Sequence, residues 1–90
     1  MNAPPVCRVD FDPAAAKELR KLGGSARAAI QAYLRKRIAT AEDPRRFGKA
    51  LAGELAGLWR YQVGDPRIVA RIEGARVVVL RVAHQRVAYA

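Results

Sequence analysis

Apolar and polar positions alternate at the start of the chain. Cys7, Val9 and Phe11 fall on one side of an extended segment and Arg8 and Asp10 on the other, which predicts a short strand. Asp12-Pro13 then supplies an N-cap and a first-turn proline, so a helix is expected from Ala14 to Leu22, stopped by Gly23-Gly24. Ser25 is expected to cap a second helix. In it Ile30, Tyr33, Leu34 and Ile38 recur at helical spacing, while Arg27, Gln31, Arg35 and Lys36 fall elsewhere on the wheel. Asp43-Pro44 ends that helix, because the residue before proline is pushed out of the α region. The two helices form a hairpin with one apolar side.

From Arg45 to Gly57 the pattern is irregular and punctuated by Gly48, Gly53 and Gly57, which reads as coil anchored by Leu51, Leu55 and Leu58. The two-residue period then returns. Trp59, Tyr61 and Val63 alternate with Leu58, Arg60 and Gln62, and after the turn Gly64-Asp65-Pro66, Ile68, Ala70 and Ile72 alternate with Arg67, Val69 and Arg71. Glu73-Gly74-Ala75 makes the next turn, Val77 to Ala83 the next strand, and Arg86 to Tyr89 a last short strand or extended tail. The expected fold is α+β: an N-terminal strand, a two-helix hairpin, then a three- to four-strand antiparallel meander with the helices on one face. Ninety residues leave room for one domain, spanning residues 1–90.

Composition adds a charge to this layout. The chain is 51% apolar, which suits a folded domain, and carries 17 Lys and Arg against 8 Asp and Glu, a net charge of +9. Arginine supplies most of the cations, and the half from Pro44 onward is the more basic one. A planar guanidinium fork matches phosphate, so a polyanion is the expected partner, with a merely solvated basic face as the alternative. A single cysteine, Cys7, excludes an internal disulfide, and Cys7 with His84 leaves too few ligands for a protein-built metal centre; no metal or other cofactor is expected. No run approaches the roughly 18 apolar residues of a membrane span, and Met1 to Val6 lacks a basic leader region, so a cytoplasmic protein without membrane contact is expected.

Each strand of the meander carries arginine: Arg60, then Arg67 and Arg71, then Arg76 and Arg81, then Arg86. Alternation lets a subset converge on the face that the helices leave open. Like charges on neighbouring strands repel, which favours a ligand that brings negative charge. Most enzyme classes fall away. Ser25 is the only serine and is better used near a helix start, Cys7 has no second histidine beside it, and Glu42, Asp43, Glu54, Asp65 and Glu73 sit in expected loops and turns, off the basic face. No phosphate-binding glycine loop follows a strand. What remains is chemistry by cations and a few protonatable tips, which suits RNA because its 2′-hydroxyl is a built-in nucleophile. Trp59 and Tyr61 share a face with Val63 and are expected in the core.

Several segments, in this order, resemble the RelE/ParE superfamily of bacterial type II toxins: Val9-Asp10-Phe11 with Ala16 to Leu22, Asp43-Pro44, Gly48-Lys49-Ala50-Leu51, Gly57-Leu58-Trp59-Arg60-Tyr61 through Ile68, and Ala83-His84-Gln85-Arg86 with Tyr89. The resemblance covers essentially the whole chain and lies nearer the RelE branch. It implies an α+β fold, a cognate antitoxin that wraps the toxin, and cleavage of mRNA in the ribosomal A site without a metal. It also implies site residues. Arg60 matches a position on the substrate backbone and Arg67 the arginine at the scissile phosphate. Arg86 would assist, and His84 or Tyr89 would move protons. Lys49 matches a frequent basic position, and Arg45, Arg46 and Arg81 complete the expected substrate-binding set. Gln85 stands where the RelE branch usually has arginine, and Pro66 where it usually has an aromatic. Two other readings stay open: a ParE-like inhibitor of DNA gyrase, and a non-catalytic basic module that binds nucleic acid.

Overall fold

The computed structural model describes residues 6–84. Strand β1 (Arg8–Phe11) leads into helix α1 (Pro13–Lys21), and the Asp12 carboxylate accepts the Ala14 N–H at 3.1 Å, the N-cap bond that the sequence called for. Helix α2 (Gly24–Tyr33) starts one residue before Ser25, with Gly23 as its N-cap and no side-chain cap bond, so Ser25 lies inside the first turn and does not cap it. The glycine pair places its extended backbone where the cap was expected, and the exposed first turn is left to solvent.

Beyond Tyr33 the helix widens into a π-turn, Leu34–Ile38, closed by the Ala39 N–H on the Leu34 carbonyl at 2.8 Å. Ile30, Leu34 and Ile38 are all buried. They recur every four residues, a step longer than the α-helix period of 3.6, and the wider turn keeps the third of them on the core side.

The sheet has five strands in the order β1-β5-β4-β3-β2, formed with β2 (Lys49–Ala50), β3 (Trp59–Gln62), β4 (Pro66–Glu73) and β5 (Arg76–His84). Strands β2 to β5 pair antiparallel, as expected of a meander, but β1 pairs parallel with β5, Arg8 opposite Arg76 and Phe11 opposite Val79, so the sheet is mixed. A parallel neighbour cannot be read from alternation, which marks the faces of a strand and not its partner. Between Val69 and Ala70 the β4–β5 register slips, leaving Leu80 as the extra residue. Val79 and Val82 both return to the core face because of that bulge; in an unbroken register Val82 would point outward.

The core lies between the helices and one face of the sheet, where Ala15, Leu19, Ile30, Leu34 and Ile38 meet Tyr61, Ile68, Ala70, Val77, Val79 and Val82. Trp59 packs against it. Cys7 is buried, as its place on the apolar side of β1 implied. The segment expected to be coil is more ordered than that: Pro44–Phe47 and Gly53–Leu55 are 3₁₀ turns, and Lys49 and Ala50 pair with Arg60 and Trp59. These pieces are too short to show a period. Tyr61 holds the first of them, its hydroxyl donating to the Pro44 carbonyl at 2.6 Å. Gly48 lies over the same ring, and a Cβ there would stand 3.1 Å from it. The expected strand at Arg86 to Tyr89 lies outside the described residues. No helix of the described residues is long and apolar enough to cross a membrane.

Candidate functional site

The register sorts the cations. Trp59, Tyr61, Ile68 and Ala70 face the helices, so Arg60, Gln62, Arg67, Val69 and Arg71 occupy the opposite face of β3 and β4. One row of that face runs across four strands as Lys49, Arg60, Val69 and Arg81, and the next as Gln62, Arg67 and Ala83. Neighbouring strands stand about 4.8 Å apart, so Lys49 and Arg60 are directly opposed like charges. Val69, Val78 and Ala83 form an apolar floor on this face, and although no helix covers them they are buried, 3%, 6% and 8% exposed. The flanking residues in the register include Arg60, Arg67, Arg71 and Arg81, whose methylene stems are long enough to cover such a floor while the charged heads stay in water.

Carboxylates divide this face in two. Toward β1, Arg76 donates to Asp10 at 2.8 Å and to Glu73 at 3.3 Å, Arg8 donates to Asp10 at 3.0 Å, and Arg71 pairs with Glu73. The two arginines hold the Asp10 carboxyl below the usual carboxylate range, Arg76 most strongly, and Asp10 in turn raises Arg76. Glu73 therefore does stand on the basic face, against the expectation that it would lie in a turn off that face: it ends β4 opposite Arg76, and Asp10 joins it from β1. Arg81 is also engaged, donating to both Glu18 oxygens at 3.0 and 3.2 Å. The same carboxylate accepts the Val82 N–H at 2.9 Å, beyond the last residue of β5 that β1 pairs.

Toward β2 the cations lack such partners. Lys49, Arg60 and Arg67 make no ion pair among the described residues, and the buried Nε of half-buried Arg67 has no hydrogen-bond acceptor. A buried guanidinium N–H left without an acceptor costs free energy that an anion would recover. Three strands thus present three uncompensated cations side by side, a geometry suited to phosphate groups.

The remaining expected residues lie elsewhere. Arg45 forms a two-pronged pair with Asp43, at 3.0 Å through Nε and 3.0 Å through Nη2, which depresses the Asp43 carboxyl. Arg46 pairs with Glu42. Both sit on the Pro44–Phe47 turn and not in the rows of the sheet face. His84 is opposite Pro66 in the register, one position out of step with Arg67 and Ala83, so its side alternates away from the cation row. Arg86 and Tyr89 lie outside the described residues. Sequence reasoning missed Glu18 and Asp10, whose partners stand 63 and 66 residues away; the one signal for Glu18 was its place beside Leu19 on the buried edge of α1.

Residues 9–89 match the family model described as ParE toxin of type II toxin-antitoxin system, parDE. No curated protein sequence matches the chain. Among solved structures it is similar to the toxin–antitoxin complex RelBE2 of Mycobacterium tuberculosis, at 33% identity and a TM-score of 0.81, covering 89% of this chain and 99% of that one. A mutant of the E. coli toxin RelE in the free state is similar at 25% identity and a TM-score of 0.73, over 92% of this chain and 87% of that one. The YoeB/ParE toxin of Agrobacterium tumefaciens shares the fold, with a TM-score of 0.67 at 17% identity over 87% and 98% of the two chains. From the matched family and the architecture it shares with these toxins, the chain belongs to the ParE toxin family of type II toxin–antitoxin systems, within the RelE/ParE superfamily.

Proposed function

We propose that this chain is the toxin of a toxin–antitoxin pair, held inactive by a cognate antitoxin, and that free toxin cleaves mRNA on the ribosome. The observation that supports this best is the trio Lys49, Arg60 and Arg67 on one sheet face, with an Arg67 Nε lacking an acceptor. In the proposed reaction the 2′-oxygen attacks the adjacent phosphorus, the bond from phosphorus to the 5′-oxygen breaks, and a 2′,3′-cyclic phosphate and a 5′-hydroxyl result. Arg67 stabilises the charge that builds on the phosphoryl oxygens, and Arg60 and Lys49 hold the flanking backbone. A base must take the 2′-proton and an acid must supply one to the 5′-oxygen. Of the expected proton carriers, Tyr89 supplies the acid, with Arg86 adding charge; His84, whose side alternates away from the cation row, takes neither role. No metal enters this scheme. The antitoxin partner is supported by the M. tuberculosis relative, which is a toxin–antitoxin complex.

A second reading, inhibition of DNA gyrase without cleavage of RNA, is favoured by one observation: the matched family model is that of ParE toxins. One preparation separates the two. Antitoxin-free protein is added to a reconstituted translation reaction, and mRNA 5′ ends are mapped by primer extension. New ends inside the A-site codon, absent on naked mRNA, are expected. Intact mRNA, together with loss of gyrase supercoiling in a parallel assay, would replace the nuclease with the gyrase inhibitor.

A further inference from the structure

Away from the sheet face, a second basic surface forms where the π-turn Leu34–Ile38 meets the turn Pro44–Phe47. Phe47 is 37% exposed, unusual for a large apolar side chain in this protein. Two guanidinium groups lie against its ring, Arg37 with Cζ 5.0 Å and Arg46 with Cζ 4.8 Å from the centroid. Arg35, Lys36 and Arg37 follow one another and are all exposed. The wide turn does this: it commits Leu34 and Ile38 to the core and leaves every residue between them at the surface. None of the three pairs with a carboxylate among the described residues, whereas Arg46 shares Glu42.

This arrangement has a chemistry of its own. An aromatic ring orders the guanidinium planes against it through cation–π attraction; the Arg37 fork has no carboxylate partner among the described residues, while Arg46 keeps one prong on Glu42. Such a pile of planar groups can accept a nucleic-acid base by stacking, and the adjoining cations can take its phosphates. An acidic protein surface would use the forks but not the exposed ring. A duplex would offer phosphates but keep its base faces stacked on each other. The combination fits RNA with an unpaired base.

We propose that Arg37, Arg46 and Phe47, flanked by Arg35 and Lys36, form a second RNA-docking surface, separate from the sheet-face cations, that grips an unpaired base of folded RNA. The choice of RNA rests on the reading given above. The surface docks the protein on its target; the sheet face acts on the scissile strand.

The test uses vacant 70S ribosomes without mRNA as the probe, the antitoxin-free full chain, and the variants Phe47→Leu, Phe47→Trp and Arg37→Gln. Leucine keeps apolar bulk and removes the ring, and tryptophan restores a stacking face. Phe47→Leu and Arg37→Gln are expected to weaken ribosome binding at least about tenfold, the scale of one lost base stack, while Phe47→Trp binds as the parent does. Arg37→Gln is also expected to lower the slope of log affinity against log salt by about 0.7–0.9. Undiminished binding by Phe47→Leu and Arg37→Gln would overturn the proposal, as would equal weakening of Phe47→Leu toward poly-glutamate, or no binding by the parent protein. Cleavage of mRNA on programmed ribosomes, measured on the same preparations, reports on the nuclease separately. Ring-dependent binding without cleavage removes the nuclease and keeps this surface, and cleavage with ring-independent binding does the reverse.

Discussion

The hydroxyl of Tyr61 donates to the carbonyl oxygen of Pro44 at 2.6 Å, tying the centre of β3 to the turn that delivers Lys49 to the edge of the sheet. Tyr61 is fully buried and Tyr33 meets its ring edge-on at 6.2 Å. Tyr61→Phe leaves the Pro44 carbonyl without its donor, and a loss of about 1–2 kcal/mol in urea unfolding at neutral pH is expected. Burial, first of all, pushes the Tyr61 phenol up to about 12. Because the folded value lies above the unfolded one, near 10, this stabilisation is complete below pH 10 and is lost as pH rises toward 12. Wild-type protein should therefore lose stability between pH 9 and 11 more steeply than Tyr61→Phe. Parallel alkaline limbs would mean that the phenol is not buried as described.

Glu18 does two things with one carboxylate, accepting from Arg81 and from the Val82 N–H at the unpaired outer edge of β5. Glu18→Ala removes both acceptors and is expected to cost about 1–2 kcal/mol, with faster hydrogen exchange at the Val82 amide. Glu18→Gln keeps an acceptor oxygen and should lose less. If Val82 exchanges at the same rate in Glu18→Ala, the carboxylate does not protect that edge.

Asp10 is held low by Arg76 and Arg8, and Asp43 by Arg45. A carboxyl depressed in the folded state contributes stability above its unfolded value, near 3.9, and loses it as pH falls through the folded one. The acid limb of stability below about pH 4 should be shallower in Asp10→Asn than in the parent protein. Urea midpoints measured from pH 2 to pH 6 check this. Identical limbs would remove the Arg8–Asp10–Arg76 group from the acid response.

Much of this fold was legible along the chain. The period of two located β3, β4 and β5, and Asp12-Pro13 located the start of α1, because these signals are local. The alternation set Arg67 and Arg71 apart from Ile68 and Ala70, but which arginines share the open face follows only from the register and the core. Pairing across the sheet was not legible. Nothing in Arg8 to Phe11 announces a parallel partner 68 residues on, and nothing in Leu80 announces a bulge. The candidate site suffered most from this, for the same reason. Which cations are free depends on carboxylates brought from elsewhere in the chain: Glu18 takes Arg81, and Asp10 takes Arg76. Arg71 and Glu73 are close in sequence, yet their pairing became readable only once Glu73 belonged to a strand and not to a turn. Phe47 was passed over because an isolated aromatic in an irregular segment carries no periodic signal.

The most direct test of the central claim is the single-turnover rate of mRNA cleavage on programmed ribosomes by Arg67→Ala beside the parent protein, with circular dichroism to confirm folding. A fall of at least about tenfold, or 1.4 kcal/mol in the barrier, is expected if Arg67 stabilises the phosphoryl charge. The folded variant should keep the parent's thermal stability, since the lost side chain carries a buried Nε with no acceptor. An unchanged rate in the folded variant would contradict the account and take Arg67 out of the site.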